Sequence, residues 1–502
     1  MKIFFCFIII FFANSFFVDS IGQADSIISY NADFSTNYKN ISTEINSIIS
    51  KYKLTNSRYS IAIYSTKMNK YLYTYNPQML LVPASNTKLI TTFTTYNLLQ
   101  SDKTIKTKIA IDGEIIDGVL NGNLYIIGGG DALLSIHDLE IIADEIRRYG
   151  INKINGNVIG DDTFFDNIYS RFNYSGDKDV VEQTANVSAL SLEKNVVNVI
   201  VTSGSAVGKS VNVSFKPASS SFVVSNSAKV SASVQPTSKQ QKGKKKNTPK
   251  NPITISSNLD SLGCQVFYIK GSLSPNKTYT YRVFIQNPAL ATASALKDRL
   301  ISGSVSVSGN AIKKQTTTEN TDIKIIYTFY RDANEIINTT NKKSDNYLSE
   351  NLFKLNGAIF DKDKNTAKSA STANLQILND NEIDTKGFVF NDGSGLSRRN
   401  LITTEGLTNL IIKAIESPFA NDFINSLSIA GYDGTLLKRM QNTFAEGNVR
   451  AKTGTLSNVS SLSGIINNRS ADTIVFAFIF NGGSVGTYKK IENEISILLS
   501  GK

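Results

Sequence analysis

Alternating apolar and polar positions mark both ends of the chain. Residues 58–64 (RYSIAIY) and 71–75 (YLYTY) flank the segment STKMNK and predict an antiparallel hairpin. Near the far end, NVRAKTGTL, SLSGIIN and TIVFAFIF predict three successive strands, closed by a helix over residues 489–499. Pro83 stands two residues before Ser85, and the following KLITTFTTYNLL is apolar enough for a buried helix. Proline favours a helix start, so Ser85 is expected at a helix N-terminus.

Between the two ends the texture changes. From about residue 102 to 320, short runs of Val, Ile, Ser and Thr alternate with Gly and Asn, as in NVVNVIVTS, SVNVSF and TYTYRVFIQ, and ALATASALKDRLISG among them reads as helical. Beyond it, residues 334–355 predict a helix, residues 388–390 lead into a Gly-rich loop, and residues 401–415 predict another helix. No repeat of 20 to 50 residues is present. The arrangement expected is α/β (α+β). Residues 25–102 and 321–502 would form one domain from both chain ends, and residues 103–320 an inserted β-rich region of two subdomains.

Composition narrows the chemistry. The single histidine, His137, excludes Ser-His-Asp, Cys-His and multi-histidine zinc sites, and in GGGDALLSIHDLE it reads as an ordinary surface or helix residue. Cys6 and Cys264 are the only cysteines, which leaves no disulfide framework and no Cys-based metal site. No cofactor is called for. The first 24 residues, with Lys2 followed by an apolar run over residues 3–12, have the layout of a secretory signal peptide cut after Ser15, Ser20 or Ala24. The alternative, a retained anchor, would need roughly 20 apolar residues.

Formal charge is +11, and six of the lysines lie in one run inside segment 238–252. Such a run reads as a solvated loop, and in an exported protein its partners would be wall or membrane polyanions rather than nucleic acid.

Without histidine, the obvious activator of a serine nucleophile is lysine. Ser85-Asn86-Thr87-Lys88 places a serine and a lysine one helical turn apart. The same spacing recurs at Ser50/Lys53, Ser191/Lys194, Ser274/Lys277 and Ser294/Lys297, but only the Ser85 copy combines a Pro-Ala lead-in, a helix start and an apolar continuation. Two further elements complete a constellation: Ser344-Asp345-Asn346, and Lys452-Thr453-Gly454 at the start of a predicted strand.

With these motifs in this order, the sequence resembles the exported D-alanyl-D-alanine carboxypeptidase/endopeptidases, the class C low-molecular-mass penicillin-binding proteins. The likeness extends through LYIIGGGDALL, SALSLEKNVVNV, NDGSGLSRRNLIT, AGYDGTLLKRM and AKTGTLSNVSSLSG, over most of the chain. It implies a penicillin-binding-protein or serine β-lactamase-like catalytic domain interrupted by extra β-rich domains. It also implies peptidoglycan stem peptides as substrates, β-lactams as covalent inhibitors, a periplasmic location and peripheral contact with membrane or wall.

The resemblance further implies roles. Ser85 would form the acyl-enzyme and Lys88 act as general base, its pKa lowered by Lys452 in a desolvated cleft. Ser344 would relay a proton to the leaving amine, and Asn346 would position Lys88 and the substrate. Lys452 and Thr453 would bind the substrate carboxylate, Gly454 would leave room for substrate along the strand, and the backbone N–H groups of Ser85 and Thr455 would form the oxyanion hole. Arg398 would face the stem peptide, or pair with Asp392 as a loop arginine. Asp161, or its neighbour Asp162, would meet the amino group of a diamino-acid side chain, unless the two simply make a turn.

Two features depart from the family pattern: Ser457 stands where some relatives carry a larger amide, and the lysine-rich segment has no counterpart. No water-activating glutamate of the class A β-lactamase kind is recognisable, which argues against efficient β-lactam hydrolysis. The competing readings are a β-lactamase or esterase using the same trio, and a non-catalytic wall-binding protein.

Overall fold

The computed structural model describes residues 38–177, 181–232, 252–315, 323–361 and 366–502. The leader (1–24) and the lysine-rich segment up to residue 251 lie outside them. In chain order the elements that place the site begin with α1 (Ile41–Lys51), β1 (Arg58–Ser65), β2 (Lys70–Tyr75) and α2 (Thr87–Leu99). The middle of the chain contributes β3 (Thr104–Ile111), β4 (Leu124–Ile127), α3 (Ile136–Arg148), β5 (Val158–Asp161), β6 (Val196–Thr202), β7 (Asn212–Lys216), β8 (Thr278–Phe284), α4 (Pro288–Ser302), β9 (Ala311–Lys313) and β10 (Lys324–Asp332). The remainder holds α5 (Ala333–Lys342), α6 (Asn346–Phe360), α7 (Thr366–Asp380), α8 (Thr404–Glu416), β11 (Ser428–Ile429), β12 (Val449–Leu456), β13 (Val459–Asn467), β14 (Thr473–Asn481) and α9 (Val485–Gly501).

The two chain ends share one sheet. Its order is β11-β12-β13-β14-β1-β2, with β1 antiparallel to β14 from Arg58↔Asn481 to Ser65↔Ile474. Strand β14 is an almost unbroken apolar run because both of its faces are covered. Phe476, Phe478 and Phe480 pack with Ile45 of α1 and Ile491 of α9, while Val475, Ala477 and Ile479 pack with Leu407 and Ile411 of α8. That division is the period-2 alternation of a strand, and each large side chain so buried contributes about 1.5–3 kcal/mol.

The middle of the chain forms separate sheets. One runs β9-β5-β4-β3-β10, and another β7-β6-β8. Strand β10 pairs antiparallel with β3 from Lys324↔Ile111 to Asp332↔Thr104, so residues 324–332 are hydrogen-bonded to the middle of the chain, although the sequence texture groups them with its C-terminal part.

Three other elements differ from the sequence expectations. The single helix expected over residues 334–355 is two, α5 and α6, separated by Ser344 in the left-handed region (φ 55°). Helix α8 starts at Thr404 rather than 401 because Leu401 and Ile402 are bridged to Val389 and Leu81, and Thr403 caps the helix by accepting from the Gly406 N–H at 3.0 Å. Ser484 likewise starts α9 before residue 489.

Candidate active site

Ser85 lies in a 3-10 turn (Ala84–Asn86) that runs directly into α2, preceded by Ala84 in the left-handed region (φ 48°). That backbone, costly for a non-glycine residue, presents the partly exposed Ser85 hydroxyl above the first turn of α2. Lys88, one turn on, is fully buried. Its Nζ donates to Ser85 Oγ (3.1 Å), Asn346 Oδ1 (2.8 Å) and the Ser394 carbonyl (2.6 Å).

Ser344 and Asn346 reach the same place through the break between α5 and α6. Asp345 caps α6, accepting from the Leu348 N–H at 3.0 Å, and its other oxygen receives Lys194 Nζ at 2.8 Å. Lys452 comes from β12, fully buried, and donates to Ser344 Oγ (2.9 Å) and to the Thr453 carbonyl (2.8 Å). Two serine-lysine pairs therefore converge from three chain segments far apart in sequence.

Burial lowers Lys88 to about 8, against the opposing pull of Glu350 and Asp392. The expectation that Lys452 supplies this shift is corrected: desolvation is the cause. The influence runs the other way, since burial first and then the Lys88 charge push Lys452 well below the usual lysine range.

Gly454 stands against the nucleophile turn. A Cβ there would stand 2.7 Å from the Pro83 carbonyl and 3.0 Å from the Ser85 amide, so its open face admits the protein's own nucleophile turn. The strand that carries Thr453 and Thr455 is thereby laid against the Ser85 amide. Thr453 Oγ1 bonds Thr435 Oγ1 at 2.8 Å, a partner not foreseen within GYDGTLLKRM.

Arg398 donates to the Ser457 carbonyl at 2.9 Å, at the end of β12, and does not pair with Asp392. Asp392 is fully buried and bound by Arg171 (3.0 Å), Asn400 (2.7 Å) and two N–H groups of its own loop. Asp161 ends β5 in the middle part of the chain, where its carboxylate accepts from the Thr163 N–H (2.8 Å) and Oγ1 (2.6 Å). Asp162 is held by Lys313 (3.0 Å), Tyr169 (2.8 Å) and Ser188 (3.0 Å). Neither carboxylate bonds any member of the Ser85 cluster in the hydrogen bonds just described. His137 is exposed on α3 beside Glu140.

Two acids that sequence reasoning missed stand at the site. Glu350, buried on α6, accepts from the Ser394 N–H (2.9 Å), the Gly393 N–H (3.3 Å) and Tyr174 OH (2.8 Å). It thus holds the loop whose carbonyl grips Lys88, and burial next to Asp392 raises it to about 7. Glu182 accepts from Asn346 Nδ2 at 2.7 Å, so a glutamate does adjoin the cluster even though none was recognisable from motif spacing. The signal available for Glu350 was its position four residues after Asn346, one turn along the same helix.

Comparison places this architecture. The crystal structure of penicillin binding protein 4 (DacB) from Haemophilus influenzae superimposes with a TM-score of 0.71 over 91% of this chain and 99% of that one, at 20% identity. The fold is that of the penicillin-binding proteins. The model of the D-Ala-D-Ala carboxypeptidase 3 (S13) family matches residues 41–501, and the chain belongs to that family. Curated relatives include a D-alanyl-D-alanine carboxypeptidase of Actinomadura sp. (strain R39), 28% identical over 91% of this chain and 84% of its own length. The penicillin-sensitive carboxypeptidase A of Dictyostelium discoideum is 28% identical over 86% of this chain and 84% of its own. Among the described residues no helix is long and apolar enough to cross a membrane.

Proposed function

We propose that the protein is an exported, periplasmic serine D-Ala-D-Ala carboxypeptidase and DD-endopeptidase that hydrolyses peptidoglycan stem peptides and is inhibited by penicillins. The observation that carries this reading is the double contact of Lys88 Nζ with Ser85 Oγ and Asn346 Oδ1, next to the Lys452–Ser344 pair.

Neutral Lys88 accepts the Ser85 proton while Ser85 Oγ bonds to the carbonyl carbon of a D-Ala-D-Xaa peptide. The N–H groups of Ser85 and Thr455 face the oxyanion. The C–N bond then breaks and the leaving amine takes a proton through Ser344. Lys88, neutral again once its proton has gone to the amine, takes a proton from water as the water oxygen bonds to the ester carbonyl, and passes it to Ser85 Oγ as the C–O bond breaks, restoring the serine hydroxyl. Lys452 and Thr453 hold the substrate carboxylate, whose charge pulls Lys452 back toward its protonated form, and Arg398 and Asp161 contribute to stem-peptide recognition.

In this reading residues 25–102 and 321–502 form the catalytic unit and 103–320 an insertion, with β10, at the start of the second catalytic segment, paired into the insertion's sheet. The β1–β14 pairing supports the joining of the two ends.

Labelling with a fluorescent penicillin tests the proposal. Covalent label should appear on the unmutated protein, persist, and be absent from Ser85→Ala. An unlabelled folded protein overturns the acyl-enzyme, and rapid loss of label with drug turnover favours a β-lactamase. Cross-linked and single muropeptides then separate the two peptidase activities.

A further inference from the structure

A trough leads away from the catalytic cluster on the Ser344 side. Its first part, about 520 Å³, is walled by Ser344 and Asn346 on one side and by Glu182, Val196 and Phe284 on the other. It shares Lys194, Val196 and Arg282 with a second cavity of about 480 Å³ that continues over Asn198 to Lys216. These are ligand-sized spaces.

The floor is one face of the β7-β6-β8 sheet. Asn198 of β6 is paired with Lys216 of β7 and with Arg282 of β8, so the three side chains form a row across the strands. Val196 and Phe284 form the next row toward Ser344. Neighbouring strands lie about 4.8 Å apart, which separates the two cations by roughly 10 Å.

Charge along the trough is not balanced. Lys194 is spent on Asp345 at 2.8 Å, but neither the Arg282 guanidinium nor the Lys216 ammonium has a side-chain partner among the described residues. Arg282 is exposed at the trough wall and bonded to neither of the glutamates that line it, Glu182 and Glu193, which leaves its guanidinium available for bidentate capture of a carboxylate.

The trough is also rigidly joined to the catalytic loop. Glu193, Lys194 and Asn195 all lie in the left-handed region (φ 49°, 57° and 54°), a run that non-glycine residues adopt only when held. The holding bonds are from Asn195 Nδ2 to Tyr347 OH (3.2 Å), from Tyr347 OH to Ser191 Oγ (2.9 Å), and from Lys194 to Asp345. Together they join the turn and the adjacent Ser191 to the helix that begins at Asn346 and to its capping Asp345.

We propose that this trough binds the leaving half of a cross-linked substrate, a carboxylate-bearing peptide whose charge is read by Arg282 with help from Lys216. The inference rests on the proposed reaction, in which the leaving amine departs past Ser344. A single stem peptide releases only one amino acid and does not reach the row of cations. A cross-linked dimer does.

The test uses the full chain carrying Ser85→Ala, so that binding is read without turnover. A cross-linked stem-peptide dimer with free carboxylates should bind at least roughly tenfold tighter than the single stem peptide, as expected for a charge-assisted pair. Amidating the carboxylates of the leaving half, or adding Arg282→Glu, should erase that preference, and Lys216→Glu, at an exposed position, should weaken it. Equal affinity for dimer and single peptide, or a preference that survives Arg282→Glu and amidation, overturns the proposal. Penicillin labelling with Ser85 intact is a separate readout. Its absence from the unmutated protein counts against the acyl-enzyme reading, not against the trough.

Discussion

Lys88 is where opposing effects on one side chain set a rate. It is fully buried, which favours the neutral amine, and two buried acids, Glu350 and Asp392, favour the charged form. Burial wins, and the result of about 8 lies close to working pH, where a general base is most effective. Because only neutral Lys88 can take the Ser85 proton, penicillin acylation should rise with pH and level off above about 8. Replacing it by arginine, which stays protonated, should lower acylation by at least about 10²-fold at every pH up to 9. A stopped-flow pH series on both proteins checks this, and an arginine variant with a normal acid limb would assign the base elsewhere.

At the scale of elements, α6 is the piece on which the site depends. Its first residue, Asn346, holds Lys88 directly, and Glu350, one turn later, holds the loop that presents the Ser394 carbonyl to the same Nζ. The negative charge of Glu350 raises Lys88, so removing it while keeping the shape should let the lysine fall further. Glu350→Gln is therefore expected to move the acid limb of acylation below pH 8 while reducing the maximal rate through a less well held loop. A variant that is slower at all pH values with an unmoved limb would make Glu350 a structural residue only.

How far the sequence could disclose this element follows from its physics. The hydrophobic pattern shows a helix over residues 334–355, but a one-residue left-handed break at Ser344 leaves the apolar period nearly intact, so the pattern reads through it. The S-D-N spacing marks the loop; nothing local marks Glu350 as facing residues 393 and 394, a contact made by tertiary packing alone. The same holds for Arg171 and Asp392, which meet from segments more than 200 residues apart. Strand β14 was legible because burial on both faces writes itself as a continuous apolar run. The partner of β10 was not, since β10 alternates like any strand and only its pairing with β3 reveals its sheet.

For the whole molecule, the question is how the middle of the chain is tied to the catalytic end. Arg331, on β10, is the central connection. Its guanidinium reaches Asp131 (3.2 Å) in the loop after β4, Asp138 (2.7 Å) at the start of α3, and Glu335 (3.1 Å) on α5, the helix that runs down to the Ser344 break. Asp131 is fully buried, and burial raises it to about 6 even with the arginine present. Replacing Arg331 by leucine leaves that carboxylate without its countercharge, a change of the kind that costs about 3–5 kcal/mol. Asp131 then takes up a proton more readily, so the loss should be smaller at pH 5 than at pH 8. Urea unfolding of Arg331→Leu at both pH values measures this. If the cost is the same at both, Asp131 is not the group left unpaired, and the connection works through the more exposed Glu335 and Asp138. Rescue by the double variant Arg331→Leu/Asp131→Asn, which removes the stranded charge, separates the two: recovery of most of the stability at pH 8 assigns the cost to the buried pair, and through it the anchoring of α5 to the β9-β5-β4-β3-β10 sheet.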